Sequence, residues 1–226
     1  MNTRSLETDA DAKAGASDDL AAWIAPARTA LVIIDMQVDF ASPDGVLGQA
    51  GLDMSVVEPA LAAAQRLADG ARAAGAPVIF VGLQTRSDTD STAWKERMRR
   101  RGGSPEEESG ICRVGEVGSA FYGPQPAASE LVVPKIRYSG FFDTILDAAL
   151  KARGVDTIIA CGLTTECCVD CTVRDAFHLD YHVFLATDAC AAYEPDLHAA
   201  ALKSLELNCA ILVETDQVLA AWQGPK

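Results

Sequence analysis

The chain has 226 residues, 49% of them hydrophobic, which is enough for one sizeable core. Its 32 acidic side chains outnumber 19 basic ones, a formal net charge of −13 at pH 7, which excludes nucleic acid and anionic membrane surfaces as partners. No apolar run approaches the roughly 20 residues of a membrane span, and seven cysteines without framework spacing read as free thiols in a reducing cytoplasm.

Residues 1–27 read as a polar, acidic N-terminal extension with no apolar centre of a secretory signal. Within it, residues 1–16 are expected to be disordered and Ser17 to cap a short helix through "DDLAAWI". From Thr29 onward, short apolar, β-branched runs alternate with helical patterns. The runs are "TALVIID" (29–35), "PVIFVG" (77–82), "ELVVPK" (130–135), "DTIIACG" (156–162), "HVFLAT" (182–187) and "AILVE" (210–214). Helices are expected near 55–74, 92–101, 141–153, 167–180, 196–207 and 216–222, with Gly75 and Gly154 where helix C-terminal glycines belong. The runs are apolar on both faces, as in a parallel sheet covered on both sides. The expected fold is a single Rossmann-like α/β domain over 28–226, three layers (α/β/α) around a six-stranded, mostly parallel sheet. In such sheets ligands sit beyond the carboxyl ends of the strands, where strand order reverses. The patternless stretches 36–54 and 102–129 are candidate pocket walls or lids.

Three strand ends carry reactive side chains. Strand one closes on Asp35, a carboxylate that is costly to bury unless paired. No "GxGxxG" or "GxxxxGK[ST]" follows it, so dinucleotide and phosphate-loop readings lose their support. Strand three closes on Lys135, followed by the aromatic, small-residue run "RYSGFF". Strand four runs into "CGLTTECCVD", which places Cys167 or Cys168 at a helix N-terminus, where free N–H groups and the dipole favour a thiolate. Successive residues there point about 100° apart, so only one of the two thiols faces the crevice. Vicinal cysteines match zinc-knuckle spacing poorly, and His178, His182 and His198 all lie away from strand carboxyl ends. The other five cysteines read as small buried hydrophobes. The basic run "KERMRRR" (95–101) holds five of the 19 Lys and Arg and reads as a solvated helix or a protein-binding face.

The pieces "ALVIIDMQVDF", "VVPKIRYSGFFDT" and "GLTTECCVDCTVRDAFHLDYHVFLATDACAA" resemble, in order and spacing from about residue 28 to 222, the isochorismatase-like cysteine hydrolases. The run "RYSGFF" is most similar to the ureidoacrylate and N-carbamoylsarcosine amidohydrolase branch, although "VGLQTR" lacks the Asn and Trp of that branch. The resemblance implies a catalytic set of Asp35, Lys135 and Cys168, with Cys167 in packing. It also implies a cis peptide at Leu163–Thr164 and an oxyanion hole from the N–H groups of Thr164 and Cys168. Tyr138, Phe141 and Phe142 would line the pocket, and Arg137 would hold a substrate carboxylate. The D-x-H motif of the metal-using nicotinamidases is missing, so neither metal nor cofactor is expected. The implied activity is hydrolysis of a small ureido, N-carbamoyl or amide substrate by a cytoplasmic homo-oligomer. A vinyl-ether hydrolase of the isochorismatase type and a catalytically silent interaction module on the same fold are the alternatives.

Overall fold

A computed structural model describes residues 20–223. The Ser17 cap and the expected disorder of 1–16 lie outside those residues. Six strands, β1 (Thr29–Ile34), β2 (Val78–Leu83), β3 (Leu131–Lys135), β4 (Thr157–Leu163), β5 (His182–Ala191) and β6 (Ile211–Val213), form one sheet in the order β3-β2-β1-β4-β5-β6. Every pairing is parallel. Three of the four inner strands, β1, β2 and β4, are buried along their whole length, in keeping with sequences that are apolar on both faces. Pro134, which has no N–H for a ladder, is confined to the edge strand β3.

The helices follow from local sequence. In α1 (Glu58–Ala74) a proline begins the first turn, and Ala60, Leu61, Ala64, Leu67, Ala68 and Ala71 form one buried stripe. Gly75 ends it at φ 77°, a left-handed cap whose N–H returns to Ala71 and Arg72. Ser91 opens α2 (Thr92–Arg100) by accepting from the Trp94 N–H at 3.2 Å. Right-handed crossovers set α1 on one sheet face, joined there by α6 (Thr215–Gln223). They set α3 (Leu146–Lys151), α4 (Asp170–His178) and α5 (Pro195–Asn208) on the other. Leu20 and Ile24, inside the expected 1–27 extension, are part of the core, and Trp222 donates to the Ile24 carbonyl at 2.9 Å.

Two elements differ from the sequence expectation. The helix expected over 141–153 shrinks to α3, because Ser139 and Thr144 hydroxyls take up the backbone groups of Phe141, Gly140 and Leu146. Strand β5 outruns its expected end at 187, because past an irregularity beside Ala160 it pairs again, Gly162 with Cys190 and Leu163 with Ala191. The two patternless stretches pack on each other. Asp39 accepts from the Cys112 N–H at 2.6 Å and the Val46 N–H at 3.1 Å, and Gln37 donates to the Ser119 carbonyl at 2.8 Å.

Candidate active site

The strand order reverses between β1 and β4, so the connections leaving their carboxyl ends part to opposite sides and open a crevice. Asp35 stands just past β1 in the left-handed region, φ 49°, which turns its side chain inward over the sheet. Its Oδ1 accepts from the Leu83 N–H at 2.9 Å. Lys135, the last residue of β3 and paired in register with Leu83, reaches across β2 so that Nζ lies 2.6 Å from Asp35 Oδ2. At that distance the two form a close, charge-assisted ion pair. The same ammonium donates to Cys168 Sγ at 3.4 Å and to the Arg137 carbonyl at 3.0 Å. The ion pair is sealed, with both side chains at 0% exposure, and Cys168 is at 5%.

Cys168 lies in a wide π turn, Thr165–Val169, between β4 and α4. Wide turns of this kind recur at functional sites. The Leu163–Thr164 peptide bond ahead of it is cis. The Thr164 carbonyl accepts from the N–H groups of both Cys167 and Val169, at 3.1 and 3.2 Å. Behind the turn, Thr172 donates to the Cys168 carbonyl at 2.7 Å and accepts from Gly140 at 2.9 Å, which ties the loop after β3 to the loop after β4.

Burial sets the proton affinities. Desolvation raises Asp35 above the ordinary carboxylate range, against the Lys135 ammonium, the Cys168 thiol and the Leu83 N–H, which lower it. Lys135 is held above the usual ammonium value because Asp35 and Cys168 outweigh its desolvation. Cys168 is raised well above an ordinary thiol by its Cys167 neighbour, by burial and by the Asp35 charge, with Lys135 opposing. A helix start alone would lower it. Packing thus holds Cys168 toward its thiol form and Lys135 toward its ammonium form.

The other sequence candidates are placed as follows. Arg137 stacks over the Trp94 ring at 5.4 Å and donates to the Ile136 and Thr89 carbonyls at 2.6 and 3.1 Å. Tyr138 is half-buried against the same ring, centroids 5.4 Å apart. Phe141 turns away from the triad into the core, its ring 5.6 Å from Tyr181 at the amino end of β5. Phe142 is 56% exposed. Cys112, Cys161 and Cys190 are buried, and burial pushes Cys190 up to about 12. Sequence reasoning missed Gln37, whose amide accepts from Leu83 N and donates to Leu83 O at 2.8 and 2.9 Å, fixing the strand end that holds Asp35. It missed Asp39 and Trp94 as well; for Gln37 the available signal was a polar residue two positions after Asp35. Among the described residues, no group of three or more His, Cys, Asp or Glu is arranged to hold a metal ion, and no helix is long and apolar enough to cross a membrane. A cavity of about 490 Å³ lies at the amino ends of β5 and β6, the far edge of the sheet from the triad.

These features define a doubly wound α/β protein with a carboxylate, an ammonium and a thiol closed over one another at the strand-order reversal. The chain belongs to the isochorismatase family, whose Isochorismatase domain matches residues 29–217. It is 36% identical over 194 residues to a ureidoacrylate amidohydrolase of Methylobacterium radiotolerans, spanning 80% of this chain and 74% of that one. To the ureidoacrylate amidohydrolase of Pseudomonas syringae pv. syringae it is 37% identical over 196 residues, 80% and 78% of the two chains. Among solved structures, a cysteine hydrolase from Pseudomonas syringae pv. phaseolicola superposes with a TM-score of 0.79 at 29% identity, over 89% of this chain and 95% of that one. N-carbamoylsarcosine amidase from Thermoplasma acidophilum does so at 0.68 and 26% identity, over 84% and 97%.

Proposed function

We propose that this hydrolase of C–N bonds cleaves a small ureido, N-carbamoyl or amide compound through an acyl-enzyme on Cys168. The observation that carries the reading is the sealed contact of Asp35, Lys135 and Cys168, at 2.6 and 3.4 Å. A thiol held high needs a base within reach, and Asp35 is the carboxylate against it. Lys135 stays charged, stabilises the thiolate as it forms and fixes both partners. The thiolate attacks the carbonyl carbon, and the N–H groups of Thr164 and Cys168 receive the oxyanion. Asp35 then hands its proton to the departing nitrogen, and ammonia or an amine leaves. Water deprotonated by the same carboxylate hydrolyses the thioester-type intermediate, which returns Cys168 as a thiol. Tyr138 and Arg137, backed by Trp94, would receive the planar body and any carboxylate of the substrate.

Two kinds of relative support the substrate class: ureidoacrylate amidohydrolases at about 36% identity, and an N-carbamoylsarcosine amidase among the structural neighbours. The test is ammonia release on ureidoacrylate, N-carbamoyl amino acids, biuret and nicotinamide, side by side. The expected result is turnover of a ureido or carbamoyl acid above nicotinamide by kcat/KM. No release from any of them overturns the reading, and nicotinamide as the best substrate overturns its ureide part.

A further inference from the structure

Behind the triad lies a polar side chain that takes no step in this mechanism. Gln37, two residues past Asp35, is fully buried. Strand β1 stops at Ile34, and the Leu83 N–H at the end of β2 meets two side chains there, Asp35 Oδ1 at 2.9 Å and Gln37 Oε1 at 2.8 Å. The nitrogen of the same amide donates to the Leu83 carbonyl at 2.9 Å and to the Ser119 carbonyl at 2.8 Å. Carbonyls only accept, so the amide nitrogen must face those two and the amide oxygen must face the Leu83 N–H. Gly82 leaves room for the group: a Cβ there would lie 3.3 Å from Gln37 Nε2 and 3.2 Å from the Phe121 ring. Phe121 in turn bridges the Gln37 backbone.

One proton therefore serves two acceptors. A divided N–H gives each acceptor less than a full bond. A full bond to a carboxylate stabilises its charged form and makes it a weaker base. Whatever share Gln37 takes is withheld from Asp35. The ionisable groups around Asp35 come from other elements: Lys135 at the end of β3, Cys168 and its neighbour Cys167 in the turn before α4, and Cys112 in the 102–129 stretch. Gln37 is uncharged, so it acts on the base through the donor it takes and the backbone it holds, and not through a charge of its own.

We infer that Gln37 is a positioning residue for the general base: it clamps the end of β2 to Ser119 beneath Asp35 and, by sharing the Leu83 N–H, keeps Asp35 a stronger base than a full bond from that donor would leave it. The inference rests on the amidohydrolase reading and deepens it. It carries a sign that bracing alone does not. Removing the amide oxygen hands the whole N–H to Asp35, which lowers the pH at which the carboxylate protonates. Loosening the strand end would instead draw the N–H away and raise that pH.

The experiment compares Gln37→Met and Gln37→Glu with the unmodified protein, by pH profiles of kcat and kcat/KM on the best-turned-over compound of the ureide and amide panel. Methionine keeps the length and loses the amide. Glutamate keeps an oxygen for the Leu83 N–H whether or not it is ionised, and it cannot make both donations to the carbonyls. Melting curves establish that each variant is folded, and Gln37→Leu replaces Gln37→Met if the longer side chain does not fit. In the Met variant the acid limb of kcat/KM should move down by about 0.5 to 1 pH unit. Its plateau kcat should fall by about 3- to 10-fold, with KM within about twofold of the parent. In the Glu variant the acid limb should not move down. An acid limb that stays or rises in the Met variant, or one that falls alike in both variants, would show that Gln37 only braces the strand end. A parent protein that releases ammonia from no ureide or amide sinks the amidohydrolase reading and this inference together. A parent that turns them over while the variants fail the sign test overturns Gln37 alone.

Discussion

Replacing Lys135 by methionine removes one charge from a sealed site and keeps most of the side-chain volume. In the native protein the ammonium is 2.6 Å from Asp35 Oδ2 with neither side chain exposed, so no water replaces it. Stranding the partner of a buried ion pair costs about 3–5 kcal/mol. At about 1.36 kcal/mol per pKa unit, that is roughly two to four units of further rise for a carboxylate already raised by burial. Asp35 would then be largely protonated at neutral pH and unable to take the thiol proton. Loss of general-base action alone removes about 10²- to 10⁴-fold in rate. The decisive comparison is with the double variant Asp35→Asn, Lys135→Met, which carries no orphaned charge. By urea denaturation at constant slope, Lys135→Met should be less stable than the double variant, although the double variant lacks two groups. Both should be inactive. If the double variant is the less stable, or if Lys135→Met keeps more than a tenth of the parent kcat, the account of Lys135 as the charge partner of Asp35 and Cys168 is wrong.

The vicinal cysteines should separate cleanly: Cys168→Ser loses roughly 10³-fold or more in kcat with its melting curve unchanged, while Cys167→Ser costs only about 1 kcal/mol of stability and keeps turnover. Turnover should need Asp35 ionised and Lys135 protonated. Because Asp35 is raised above 3.8 and Lys135 above 10.5, the acid limb of a kcat/KM profile should fall above pH 3.8 and the alkaline limb above 10.5. An acid limb at or below 3.8 would mean that the charge partners outweigh burial at Asp35. Gly162 lies at φ 137°, where an added Cβ would sit 2.0 Å from the Ile34 carbonyl oxygen. Gly162→Ala should therefore cost about 3 kcal/mol or more, read as a lowered denaturation midpoint, and reduce activity, since it pushes apart the strands that carry Asp35 and Cys168.

How much of this was legible differs from residue to residue. The alternation of two-sided apolar runs with helical patterns is local, and it was enough to place all six strands within a few residues. The positions of Asp35, Lys135 and the cysteine pair at strand ends could be read for the same reason, since an ionisable side chain at the close of an apolar run stands out. Distances between them could not. Asp35 and Lys135 are a hundred positions apart, and they meet only because β3 lies two strands from β1 and Leu83 holds both in register. The direction of the thiol's proton affinity went against its local setting. A helix start favours the thiolate, but burial, Cys167 and the Asp35 charge come from packing and they prevail. Phe141 and Tyr138 are close neighbours in one aromatic run, yet one ring packs on Tyr181 in the core and the other on Trp94 beside the crevice. By itself the sequence determined which elements form and which reactive groups close them, because both depend on near neighbours. Tertiary structure alone decided which of those groups touch, how dry they are and what charge each can hold, because desolvation and Coulomb forces act through space between residues far apart in the chain.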